Sequence, residues 1–219
     1  MIKAAIFDAD GTLLNSMSIW KTAGADYLRS LGIEAKENLS ETLKTMSVYE
    51  AACWLQKNYG IKMSADEIAD GINRMTENFY FHRAALKPVA ALFLQTLQEK
   101  GIKMCIASET EKYLIEAALR RCSVLDFFSD IVTCSDVKAG KSSPAVYREA
   151  LNCLGTEKKD TWVFEDAVHA LNSAKNDGFP TVGVFDSSES GQMELRKQAD
   201  IYIFDYAELL PFNRDAFNK

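Results

Sequence analysis

Residues 2–11, IKAAIFDADG, are an apolar run that stops at Asp8 and meets a glycine, Gly11, three residues later. A short continuous apolar segment bounded by a turn signal reads as a buried strand running into a tight turn. Such a strand presents Asp8 and Asp10 at one end of a sheet. From Met17 the spacing becomes helical, with Ile19, Ala23, Tyr27 and Leu31 on one face and Gly32 as a stop. Two capping boxes follow, Ser47 with Glu50 and Ser64 with Glu67. The second precedes a stripe of Ile68, Ile72, Met75 and Phe79. Residues 16–82 are therefore expected to be helical throughout.

After Pro88 the pattern alternates. A helix VAALFLQTLQEK closed by Gly101 leads to the strand IKMCIAS, then a helix to Arg121 and the strand DIVTC. The helix AVYREALNCL precedes the strand TWVFED, and TVGVF and DIYIF alternate with two further helices. Strands separated by helices of about ten residues are βαβ units and predict a parallel sheet with helices on both faces. The expected fold is α/β, a doubly wound, Rossmann-like core from residues 1–15 and 84–219, with a helical cap inserted at 16–83.

Composition narrows the function classes. Hydrophobic residues make up 47% and charged residues 26%, as in an ordinary globular protein, so disorder is not expected. The net charge is −6 and no run of lysine and arginine could track a phosphate backbone, which argues against nucleic acid. No apolar run approaches a membrane span and the start lacks the pattern of a signal peptide, so a soluble, cytoplasmic protein is expected. Five cysteines, irregularly spaced and without a CxxC, read as reduced core residues rather than metal ligands.

In open α/β sheets ligands sit beyond the carboxyl ends of the strands. Asp8 and Asp10 end the first strand, Ser108 the second, and Glu165-Asp166 a later one, while Lys141 lies in a loop before a helix. Two aspartates two residues apart leave an extended backbone on the same side. Unit charges about 4 Å apart repel by roughly 4 kcal/mol at an effective dielectric near 20, so a cation or a shared proton is required. Mg²⁺ suits such a site, because it favours oxygen ligands and needs only one or two carboxylates beside phosphate oxygens.

FDADGT at 7–12, Ser108 after a strand, Lys141, and Glu165-Asp166 resemble, in that order, the haloacid dehalogenase superfamily. The helical insertion resembles the subgroup of beta-phosphoglucomutase and phosphoglycolate phosphatase. The resemblance implies that Asp8 attacks phosphorus and becomes an aspartyl phosphate. Asp10 would protonate the leaving alcohol and then deprotonate the water that releases phosphate. Ser108, Lys141 and the backbone N–H of Glu109 would bind the phosphoryl group. Mg²⁺ would be held by the Asp8 carboxylate, the Asp10 carbonyl and Asp166, with Glu165 ligating directly or through water. The second aspartate, Asp10, separates the chain from the dehalogenase branch.

Five positions depart from the pattern. Trp20 stands where the mutases carry a histidine, the mutases' cap arginine is absent from LKTMSVYE (43–50), and Asn15 and Ser142 replace an aspartate and a proline. The fifth is Glu109, which follows Ser108 where small or amide side chains are common in relatives. The first two weigh against a phosphomutase, which stays an alternative, as does a non-catalytic binding module. Trp20 occupies the position that faces the active site in relatives and is a candidate substrate contact. Lys44, Met46 and Tyr49 read first as packing between helices, and His82 and His169 as surface or core residues. The expected substrate is a small phosphorylated metabolite such as a sugar phosphate. Oligomeric state is left open.

Overall fold

A computed structural model describes residues 2–217 of the chain. Six strands, β1 (Ala4–Phe7), β2 (Lys103–Ser108), β3 (Ile131–Thr133), β4 (Thr161–Glu165), β5 (Thr181–Val184) and β6 (Ile201–Ile203), form one parallel sheet. Their order is β3-β2-β1-β4-β5-β6, the doubly wound arrangement, with β1 central and the direction of winding reversing beside it. The α/β expectation holds.

Period-two alternation assigns each strand residue to a face. Ala5 and Phe7, Met104 and Ile106, and Trp162 and Phe164 join an apolar cluster on one side. Phe93 of α5 (Ala90–Glu99) and Leu114 and Ile115 of α6 (Lys112–Arg121) complete that cluster. Ala4, Ile6, Cys105, Ala107 and Val163 face the other side, against Val146, Tyr147 and Ala150 of α8 (Ala145–Leu154). Phe7 lies opposite Ile106 and Phe164, so the sheet register brings the next residue, Asp8, beside the end of β4.

Between Asn15 and Leu86 the chain builds a helical lobe from α1 (Met17–Ser30), α2 (Leu39–Leu43), α3 (Val48–Tyr59) and α4 (Ala65–His82). Both expected capping boxes are formed, at Ser47 and Ser64. The lobe has an apolar cluster of its own, including Tyr27, Leu28, Leu55, Ile68 and Ile72. Gly71 lies where α4 meets α1; a Cβ there would stand 2.4 Å from Tyr27 Cε2. Leu31 and Met75, expected on buried faces, are both 39% exposed. Leu31 has left the helix as its C-cap, and Thr76 rather than Met75 takes the buried position on α4. The short α2 and α7 (Cys134–Val137) had no periodic signal to reveal them. Cys53 and Cys153 are exposed, so two of the five cysteines are not core residues; all five are free.

The two linkers to this lobe run side by side. The N–H of Asn15 donates to the Ala85 carbonyl at 2.8 Å and that of Lys87 to the Leu13 carbonyl at 2.8 Å. Further contacts tie lobe to core: Tyr113 Oη donates to Glu77 at 3.0 Å, and Lys44 pairs with Glu189 at 3.2 Å. Among the described residues no helix is long and apolar enough to cross a membrane. α9 (Val168–Asn176) and α10 (Gln192–Gln198) complete the helices.

Candidate active site

The sheet parity that places Ala4 and Ile6 toward α8 carries Asp8 to the same side, and Val163 likewise predicts the side taken by Glu165. Asp8 is 5% exposed and its N–H donates to the Phe164 carbonyl at 3.0 Å, which locks it to the neighbouring strand. The loop before α8 brings Lys141 in from 133 residues away; its Nζ donates to Asp8 Oδ1 and, at 2.6 Å, to Glu165 Oε1. Tyr147 Oη donates to the same Glu165 oxygen at 2.7 Å. Asp166 accepts from Thr12 Oγ1 at 3.1 Å.

Ligand atoms of Asp8, Glu165 and Asp166 lie within 4.8 Å of one another, all buried. Three carboxyl groups against the single Lys141 ammonium would, all ionised, leave two negative charges out of water. Burial raises the pKa of Asp166 well above the carboxylate range, helped by the charges of Asp8 and Glu165. Burial likewise pushes Glu165 up to about 8, against the pull of Lys141. For Lys141 burial acts downward, but Asp8 and Glu165 outweigh it and raise the ammonium's pKa. Asp8 Oδ2 has no hydrogen-bond partner. An orphaned buried oxygen inside an under-neutralised all-oxygen cluster fits a hard divalent cation. Gly11 belongs to the same construction, since φ is +85° and a Cβ would come 2.2 Å from Asp166 Oδ2.

Asp10 is treated differently. Its Oδ1 accepts from Ser16 Oγ and Tyr80 Oη, each at 2.5 Å, and its Oδ2 from Thr110 Oγ1 at 2.6 Å. Burial and the charge of Asp8 raise its pKa, and the three hydroxyls pull it back. Its carboxylate lies outside the three-residue cluster. Ser108 is fully buried, and its Oγ accepts the Thr110 N–H at 3.0 Å, which leaves the hydroxyl proton free to donate. Glu109 accepts the N–H of Lys141 at 3.1 Å, and burial raises its pKa against the opposing effect of Lys141.

These groups open into a cavity of about 180 Å³ between sheet and helical lobe. Asp8, Asp10, Glu109, Lys141, Glu165 and Asp166 line it, as do Trp20, Lys44 and Met46 from the lobe; the fully buried Ser108 is not among its lining residues. Tyr49 is 49% exposed. His82 stands at the exposed end of α4. His169 lines the cavity with its Nε2 unpartnered, and burial lowers its pKa. Sequence reasoning had no means of finding Tyr80 or Tyr147, because long-range contacts alone bring their hydroxyls to Asp10 and Glu165.

A family model for haloacid dehalogenase-like hydrolases matches residues 2–178. The chain belongs to this family. Validoxylamine A 7'-phosphate phosphatase of Streptomyces hygroscopicus subsp. limoneus is 26% identical over 209 residues, spanning 95% of this chain and 96% of that protein. The crystal structure of CbbY from Rhodobacter sphaeroides in complex with phosphate superposes with a TM-score of 0.85 at 24% identity, covering 96% and 97% of the two chains. A beta-phosphoglucomutase from Clostridium difficile gives a TM-score of 0.80 at 18% identity, covering 100% and 98%. These two similarities show the fold. Within the haloacid dehalogenase-like hydrolases, this chain is a phosphoric monoester hydrolase.

Proposed function

We propose that the chain hydrolyses monoesters of small phosphorylated metabolites, magnesium-dependently, through an aspartyl phosphate on Asp8. The observation that carries this reading is the state of Asp8: buried at the end of the central strand, one oxygen held by Lys141 and the other unpartnered. One carboxylate oxygen of Asp8 would attack phosphorus, the ester bond to the alcohol would break, and Asp10 would give its proton to the leaving oxygen. Asp10 would then take a proton from the water that cleaves the acyl phosphate, restoring Asp8 and releasing inorganic phosphate. Its raised pKa supports the acid role. Lys141 would balance charge as an anion approaches an anion, and the Ser108 hydroxyl and the Glu109 N–H would bind phosphoryl oxygens.

Asp8 and Asp166, with Glu165 and the Asp10 carbonyl, would hold Mg²⁺. Bound there, the ion supplies charge neutralisation to the carboxylates and the phosphoryl group. The core, residues 1–15 and 84–219, would carry the chemistry, and the cap, 16–83, would open to admit substrate and close to exclude water. Names of relatives such as "phosphorylated carbohydrates phosphatase" from Thermotoga maritima and "hexitol phosphatase B" from Escherichia coli support a small organic phosphate as substrate.

The test is phosphate release from a panel of phosphorylated metabolites, with Mg²⁺ or with chelator, by the native chain and by Asp8→Asn. Release that requires both the metal and Asp8 is expected, with Asp8→Asn lowering turnover on the order of 10⁴-fold or more. Full activity in Asp8→Asn would sink the mechanism.

A further inference from the structure

The lobe side of the cavity is apolar, lined by Trp20, Leu43, Met46, Val48, Ala51 and Ile72. Its polar groups are already engaged or stand at the surface. The Trp20 indole N–H donates to Tyr80 Oη at 2.7 Å, and Lys44 Nζ is 3.2 Å from Glu189 Oε1 and 3.3 Å from Ser190 Oγ. Lys21, Ser40 and Glu41 are exposed. On the sheet side Lys141 is committed to Asp8 and Glu165, Glu109 adds another carboxyl group, and His169 Nε2 stands unpartnered. Among the described lining residues there is no arginine, and the exposed Lys21 is the one lysine without a recorded ion pair.

Two substrate types are therefore mismatched to this wall. A polyol phosphate would bury hydroxyls against Leu43, Met46, Val48, Ala51 and Ile72, which offer no partner, each unmatched hydroxyl weakening the complex by about tenfold. A bisphosphate would bring a second dianion into a cavity whose buried cations are spoken for and whose carboxylates outnumber them. We propose that the preferred ester carries a neutral, largely apolar alcohol, a short aliphatic or aromatic one, as a monophosphate. The inference rests on the phosphatase reading and narrows it to a leaving-group class.

The experiment measures kcat/KM for phosphate release by the full chain with Mg²⁺ on n-butyl phosphate, benzyl phosphate, sorbitol 6-phosphate and fructose 1,6-bisphosphate. The first two are expected to exceed sorbitol 6-phosphate by tenfold or more and the bisphosphate by a wider margin. Met46→Gln and Val48→Thr, which add a polar partner to the wall, should narrow the gap several-fold by raising kcat/KM for sorbitol 6-phosphate relative to n-butyl phosphate. An equal or reversed order in the native chain overturns the inference, while phosphate release that still requires Asp8 leaves the phosphatase reading standing. No release from any ester overturns both.

Discussion

The two walls of the cavity differ in what holds them. On the sheet side, three buried carboxylates crowd one ammonium and an aspartate oxygen is left without a partner. On the lobe side, apolar side chains meet the cavity, Trp20 donates to Tyr80, whose hydroxyl donates in turn to Asp10, and the helices are closed by local capping boxes. The sheet wall is organised around charge that the protein does not neutralise by itself, and the lobe wall around packing that needs nothing further. Substitutions in the first should therefore change chemistry and metal binding together. Those in the second, apart from Tyr80 with its hydrogen bond to Asp10, should change stability or substrate choice alone.

Replacing Lys141 tests the first wall most severely. Lys141→Met removes the cation between Asp8 and Glu165, and turnover should fall on the order of 10²–10³-fold. The metal-free protein should also lose about 3–5 kcal/mol in urea unfolding, because buried carboxylates lose their partner. Near-native turnover would break the contrast.

A matched pair of glycine substitutions sharpens it. In Gly11→Ala the new methyl would meet Asp166 Oδ2, and Mg²⁺ affinity by calorimetry should drop by about 10–100-fold. In Gly71→Ala it would meet the Tyr27 ring, costing about 1–3 kcal/mol of stability with metal affinity unchanged. If both variants lost affinity equally, the walls would not be independent.

Titration gives a smaller signal of known sign. Burial raises Glu165 from the ordinary 4.5 to about 8, and Asp166 also rises. A carboxyl group with a raised folded-state pKa favours the folded state below its ordinary pKa and loses that advantage as pH rises through the folded value. The Tm of chelator-treated protein should thus decline between about pH 4.5 and 8, and saturating Mg²⁺ should flatten the decline. A metal-free Tm that did not decline would contradict the under-neutralised cluster. The smallest effect belongs to the lobe: Ser64→Ala, which removes a cap distant from the chemistry, should cost about 1 kcal/mol and leave kcat/KM unaltered.

The architecture was legible because hydrophobic periodicity acts locally. The run ending at Asp8, the alternation after Pro88 and the two capping boxes each report on a few consecutive residues, and the structure forms all of them. Leu31 was misplaced at the end of its helix and Met75 in the middle of α4, one position from the buried Thr76, where a drift of one residue moves a side chain from core to solvent. Cys53 and Cys153 looked like core residues by their apolar neighbours, yet their helices turn them outward. His169, expected at a surface or in the core, faces the cavity, a difference that only the placement of α9 beside β4 produces.

Sequence alone determined the strand ends that carry Asp8, Asp10, Ser108 and Glu165-Asp166, because backbone alternation and turn residues decide where a strand stops and which side chains it presents. Tertiary structure decided the partners. Tyr80 reaches Asp10 across 70 residues, Lys141 reaches Asp8 across 133, and Thr110 caps Asp10 across 100. The unpartnered Asp8 Oδ2 and the apolar lobe wall are likewise properties of packing. Hydrogen bonds and ion pairs act over a few ångströms in space and carry no period along the chain, so no reading of neighbours in sequence contains them.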